Sequence, residues 1–175
     1  DAIPDLCESG SSEVFTAADN GGTWTADCGG CISPAGTFDP GIGAGNYTIT
    51  YTISDVCTDI DAVQITVVPQ RDATILVDVP NDELCIGVDE WQMGAIWAGG
   101  VWSATSPSGE NSIDPESGLL NLQAAGVGTV TVNHVLEGLC GDEDTRVLTI
   151  LSCAMELVNI FTPNGDGKND RLLFK

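Results

Sequence analysis

The side chains in this chain that could do chemistry are carboxylates, thiols and one imidazole. Twenty-six Asp and Glu stand against five Lys and Arg, with seven cysteines and a single histidine, His134. A lone histidine makes a poor general base unless other groups orient it, and zinc needs several His or Cys ligands at short spacing. His134 lies inside the alternating run Gly128 to Val135, where it reads as a packed or flanking strand side chain. No Gly-x-Ser-x-Gly elbow, phosphate loop or His-based zinc spacing occurs. The carboxylates could by inventory supply a glycosidase pair, but they cluster in turns, where solvation accounts for them. Cys28-Gly29-Gly30-Cys31 has redox spacing. A redox C-x-x-C opens a helix after a strand, and no helical pattern follows these glycines, so a structural loop staple is the favoured reading. The inventory points away from an enzyme. One binding chemistry competes: Trp91 and Trp97, with Glu13 and Asp19 at the corresponding places of the first half, could stack on a sugar ring or on a neighbouring domain. Packing within the second half is the plainer alternative.

A net charge of -21 argues against nucleic acid or an anionic membrane surface as partner. It suits a solvated extracellular protein, or one that relieves self-repulsion with divalent cations. With 42% hydrophobic residues, many of them alternating Val, Ile and Leu, the chain can build cores rather than stay disordered. No run reaches the roughly 18 apolar residues that cross a bilayer, so no direct membrane insertion is expected. No signal peptide opens the sequence, so Asp1 reads as a mature or internal start. The cysteine density suggests an oxidising compartment.

The elements that carry these residues repeat. Cys7 to Trp24 and Cys85 to Trp102 are both steps of 17 residues, and Gly45 to Cys57 and Gly128 to Cys140 are both steps of 12. Gly21-Gly22-Thr23-Trp24 answers Gly99-Gly100-Val101-Trp102, Pro34-Ala35-Gly36 answers Pro115 to Gly118, and Ile65-Thr66-Val67 answers Leu148-Thr149-Ile150. A repeat of about eighty residues has the size of a β-sandwich module. Gly45 to Ile53 and Gly128 to Val135 alternate as half-buried antiparallel strands, with Asp61 to Val68 and Asp144 to Leu151 as closing strands and Ala73 to Val79 as a first strand of the second module. The expected architecture is all-β: Ig-like β-sandwich modules over residues 1–70 and 71–152, joined at Pro69-Gln70-Arg71-Asp72, then the first strand and turn of a third β-domain over 153–175. Only six residues precede Cys7, which suggests a start near a module boundary of a longer array.

The repeat predicts one disulfide per module, Cys7 with Cys57 and Cys85 with Cys140, with Cys28–Cys31 as a local staple; buried free thiols are the alternative. Cys153 is left over, either free or paired beyond Lys175. Trp24 and Trp102 are expected to pack against the module disulfides.

The C-terminal run Phe161-Thr162-Pro163-Asn164-Gly165-Asp166-Gly167-Lys168-Asn169-Asp170 reads as a polar turn between apolar strands. As a calcium loop it is incomplete. Asn164 and Asp166 at positions 3 and 5 place Thr162 at position 1 and Leu173 at position 12, where carboxylates belong. Asn164, Asp166 and Asp170 offer a partial calcium set, as do Asp72, Asp82, Asp142 and Asp144 near the junction.

From Asn159 to Asp170 the run resembles the opening of the C-terminal type B sorting domain of the type IX secretion system, carried by gliding-motility-associated surface proteins of Bacteroidetes. The Gly-x-Trp strands, Pro-x-Gly turns and late cysteines are similar to the Ig-like repeats of large Bacteroidetes surface adhesins. The resemblance implies that Asn159, Phe161, Pro163, Asn164, Gly165, Asp166, Gly167, Asn169 and Asp170 are read by secretion machinery. It implies an outer-membrane β-barrel partner that holds the protein at the extracellular face of the outer membrane. A full sorting domain has several more strands, so the segment reads as its truncated beginning. The expected role is a non-enzymatic stalk and anchoring segment of a secreted adhesin. The alternative is a carbohydrate-binding accessory module of a secreted hydrolase, with Trp91 and Trp97 as the platform for a surface glycan.

Overall fold

The computed structural model describes residues 4–55 and 57–153. It is all-β, as the alternating pattern requires, and consistent with Ig-like sandwich modules. The first module holds β1 (Leu6–Cys7), β2 (Glu13–Val14), β3 (Thr23–Ala26), β4 (Thr37–Phe38), β5 (Gly45–Ser54) and β6 (Thr58–Val68). The linker carries β7 (Ile75–Leu76). The second module follows with β8 (Glu83–Cys85), β9 (Glu90–Gln92), β10 (Gly94–Ala95), β11 (Val101–Thr105), β12 (Leu119–Asn121), β13 (Gly128–Leu136) and β14 (Asp142–Leu151).

The two main sheets have one design. In the first the order is β1-β6-β5-β3; in the second it is β8-β14-β13-β11, the same strands of the repeat in the same places. The long hairpin β5–β6 or β13–β14 forms the middle of each sheet, antiparallel throughout. The short first strand runs parallel to the end of the last one, with Cys7 opposite Val68 and Cys85 opposite Leu151. Alternation aims Ile65 and Val67 of β6, and Leu148 and Ile150 of β14, into the two cores. The first core is Phe38, Ile49, Ile65 and Val67 with Cys31. The second is more than twice as large in buried residues and includes Ile75 from the linker.

Gly22 and Gly100 show why each module needs its Gly-Gly before the tryptophan. A Cβ on Gly22 would lie 2.5 Å from the Tyr51 ring, and one on Gly100, at φ +81°, would lie 2.5 Å from the Val135 carbonyl and 2.9 Å from His134 Nε2. Two expectations change. Of the proposed strand Ala73 to Val79 only Ile75–Leu76 is strand, paired with Gly94–Ala95, and the N–H groups of Ala73 and Ile75 bond to the carboxylates of Asp142 and Asp144. A single helical turn, Leu122–Ala125, follows Asn121, whose side chain accepts from Ala124 N–H. Among the described residues no helix is long and apolar enough to cross a membrane.

Candidate functional site

The disulfides differ from the pairing the repeat suggests. Cys7 bonds Cys140, Cys85 bonds Cys153, and Cys57 is free and exposed; Cys28–Cys31 is the local staple expected. The reason is topological. Cys57 and Cys140 lie in the turns of the two long hairpins, whereas Cys7 and Cys85 lie at the opposite ends of the sheets, beside Val68 and Leu151. The 11 residues of β6 separate these ends by about 35 Å at strand rise. A disulfide needs Cα atoms within about 7 Å, so Cys7 cannot pair with Cys57, nor Cys85 with Cys140. The base of the first module meets the hairpin turn of the second, and there Cys7 and Cys140 bring their Cα atoms to 5.3 Å.

Linker residues complete this junction. Arg71 N–H donates to Cys140 O (3.3 Å), Arg71 Nη1 donates to Glu137 O (2.9 Å) and Gln70 Nε2 donates to Gly141 O (3.4 Å). Ser9 donates its hydroxyl to Gln70 Oε1, beside the Cys7 sulfur. Cys153 stands at the same repeat offset as Gln70, 83 residues on, and occupies the same place next to the first-strand cysteine. Cys140, bonded to the first module, has a left-handed φ of +61°.

Beyond the junction the linker lies along the second module, held by acids. Asp142 Oδ2 accepts from Ala73 N–H and Asp144 Oδ2 from Ile75 N–H, both at 2.8 Å, and Ile96 N–H donates to Thr74 O (3.0 Å). The Thr74 hydroxyl and its backbone N–H (3.0 Å) hold the exposed Asp72 carboxyl below its ordinary range. Asp82 binds Arg146 through both carboxylate oxygens. The four junction acids each accept from a protein donor, and among the described residues no group of three or more His, Cys, Asp or Glu is placed to hold a metal ion. Replacing Asp144 by alanine strands the N–H of buried Ile75 and is expected to cost about 1–3 kcal/mol in urea unfolding. Its counterpart Asp61, exposed and bonded to the adjacent Ala62 N–H, should lose less than about 0.5 kcal/mol on the same change. Equal losses would contradict the anchoring role.

His134 is buried in the second core. Its ring stacks on Trp102 at 4.1 Å, and its nitrogens face the carbonyl oxygens of Ala73 (3.0 Å) and Gly99 (2.7 Å). Tyr51 plays the same part in the first module, packed on Trp24 at 4.6 Å, accepting from Gly22 N–H and donating to Asp19 O. The tryptophans therefore pack on Tyr51 and His134, not on the disulfides foreseen for them. Of the two proposed sugar-stacking residues, Trp91 sits in β9 opposite Leu120 and packs against the core, and Trp97 is exposed near the linker, its N–H donated to Asp72 O. A groove of about 540 Å³ opens on the first module, with Trp24, Ile49 and Tyr51 along it and Asp59 and Asp61 on one side.

The sorting-like positions Asn159, Phe161, Pro163, Asn164, Gly165, Asp166, Gly167, Asn169 and Asp170, the partial calcium set among them and the strand and turn of the third β-domain all lie outside the described residues. No protein-family model matches the chain, and no curated protein sequence matches it.

Proposed function

We propose that this chain is a non-enzymatic stalk of tandem Ig-like modules, ending in a segment that directs export and anchoring of a secreted cell-surface adhesin. The observation that carries the stalk reading is the junction: a disulfide from the base of one module to the hairpin turn of the next, reinforced by a linker bonded along the second module. Such a joint resists bending and pulling, which a spacer between a cell surface and a distant binding site requires. Three disulfides support an extracytoplasmic setting. The run Asn159 to Asp170 supports recognition by type IX secretion machinery, retention by an outer-membrane β-barrel partner, and a role in gliding motility or surface attachment. The sole histidine, closed into the core, supports a role without catalysis.

Substituting Phe161 and Asp166 in the parent protein is expected to abolish surface display, read by mass spectrometry of surface and medium fractions from hosts with and without working type IX secretion. Normal display of the variant, or export unaffected by loss of the system, would sink the sorting part.

A further inference from the structure

The groove on the first module has a filled counterpart on the second. In the second module the extended segment Ala73–Leu76 lies against His134, Asp142 and Asp144, with Ala73 fully buried and Ile75 nearly so. The matching residues of the first module, Tyr51, Asp59 and Asp61, line the open groove. There Asp59 and Asp61 accept from the N–H of the next residue, Ile60 (3.0 Å) and Ala62 (2.9 Å), instead of from a bound strand. The positions that would fill it fall outside the sequence. Pro4-Asp5-Leu6-Cys7 answers Pro80-Asn81-Asp82-Glu83-Leu84-Cys85 with two residues fewer, and Ala73–Leu76 precede Pro80 by four to seven residues, so with or without that gap their equivalents fall ahead of Asp1. At the same end of the module stands Cys57, free and exposed, whose counterpart Cys140 is bonded to the first-strand cysteine of the module before it.

We infer that the groove of the first module receives an extended segment of the parent polypeptide immediately ahead of Asp1, with the small, polar, β-branched, aliphatic pattern of Ala73-Thr74-Ile75-Leu76, and that Cys57 bonds the first-strand cysteine of the module preceding that segment. Asp59 and Asp61 then take the backbone N–H groups that Asp142 and Asp144 take in the second module. The segment filling the second groove is continuous with that module's own first strand, which is why the occupant is the adjoining upstream chain and not a second molecule. The result is an array in which each linker completes the core of the next module and each junction is covalently locked. This goes beyond the stalk reading and stands on the repeat geometry alone, so failure of the sorting test leaves it intact.

The test adds five residues with the sequence of 72–76 directly ahead of Asp1 in the full chain. Amide exchange in β5 and β6 is expected to slow about ten- to a hundredfold, by burial of one branched aliphatic side chain, and Trp24 emission to shift to the blue. The same extension with aspartate at the isoleucine position should do neither. If the two extensions behave alike, the strand proposal is overturned. In the parent protein, a non-reducing peptide map is expected to join Cys57 to a cysteine outside residues 1–175. Recovery of Cys57 as an alkylated thiol, or linked to another Cys57, overturns the covalent half.

Discussion

Trp102→Ala is expected to cost the second module about 3–5 kcal/mol, a large part of the 5–15 kcal/mol that holds a typical domain together. Trp102 lies on β11 directly opposite His134 on β13, and their rings overlap at 4.1 Å and 18°. Its backbone N–H donates to Pro115 O (2.9 Å), and Gly118 at φ +72° passes so close that a Cβ there would lie 2.8 Å from the indole. Backbone closes over one face of the ring and imidazole covers the other, so a truncated side chain leaves a cavity that neighbours cannot collapse into. His134 would lose its stacking partner while still facing two carbonyl oxygens. Urea unfolding followed by the remaining tryptophans measures the loss. Trp24→Ala should cost less, since Trp24 is only half-buried beside the open groove. A Trp102→Ala loss below about 1 kcal/mol would show that the stacked pair does not hold the core.

Cys140→Ser is expected to have an effect of similar size by a different route. The Cys7–Cys140 bond spans 133 residues, and loop-entropy estimates assign a bridge of that length about 5 kcal/mol, through restriction of the unfolded chain. Each module keeps its own sheet, so the variant should retain β structure while its denaturation midpoint falls and the modules move more independently in solution scattering. For residues 1–175 by themselves, where the cysteine inferred to partner Cys57 in the parent protein is missing, a non-reducing peptide map should recover Cys7 with Cys140, Cys85 with Cys153 and Cys28 with Cys31, with Cys57 alkylated. Recovery of Cys7 with Cys57 would restore the one-bridge-per-module pairing and remove the covalent joint.

Much of the fold was legible in residue order because strands declare themselves locally. Alternation in Gly45 to Ile53 and Gly128 to Val135 follows from the two-residue period of a pleated strand, and equal Cys, Trp and Gly spacings must trace equal modules. The all-β class, the duplicated plan, the packed role of His134 and the Cys28–Cys31 staple needed nothing further. What folding alone decided is which distant residues meet. Spacing along the chain places Cys7 and Cys57 in one module but cannot say that a first strand pairs parallel to the end of the last, leaving those thiols at opposite ends of a sheet. Nor could it show that Asp142 and Asp144 bind the linker while Asp59 and Asp61 border an open groove, since the same residue types recur at the same offsets. Local sequence sets the elements because backbone geometry is local. The partners of thiols and carboxylates depend on register and on the direction in which one module stacks on the next, and those are settled only when the whole chain is packed.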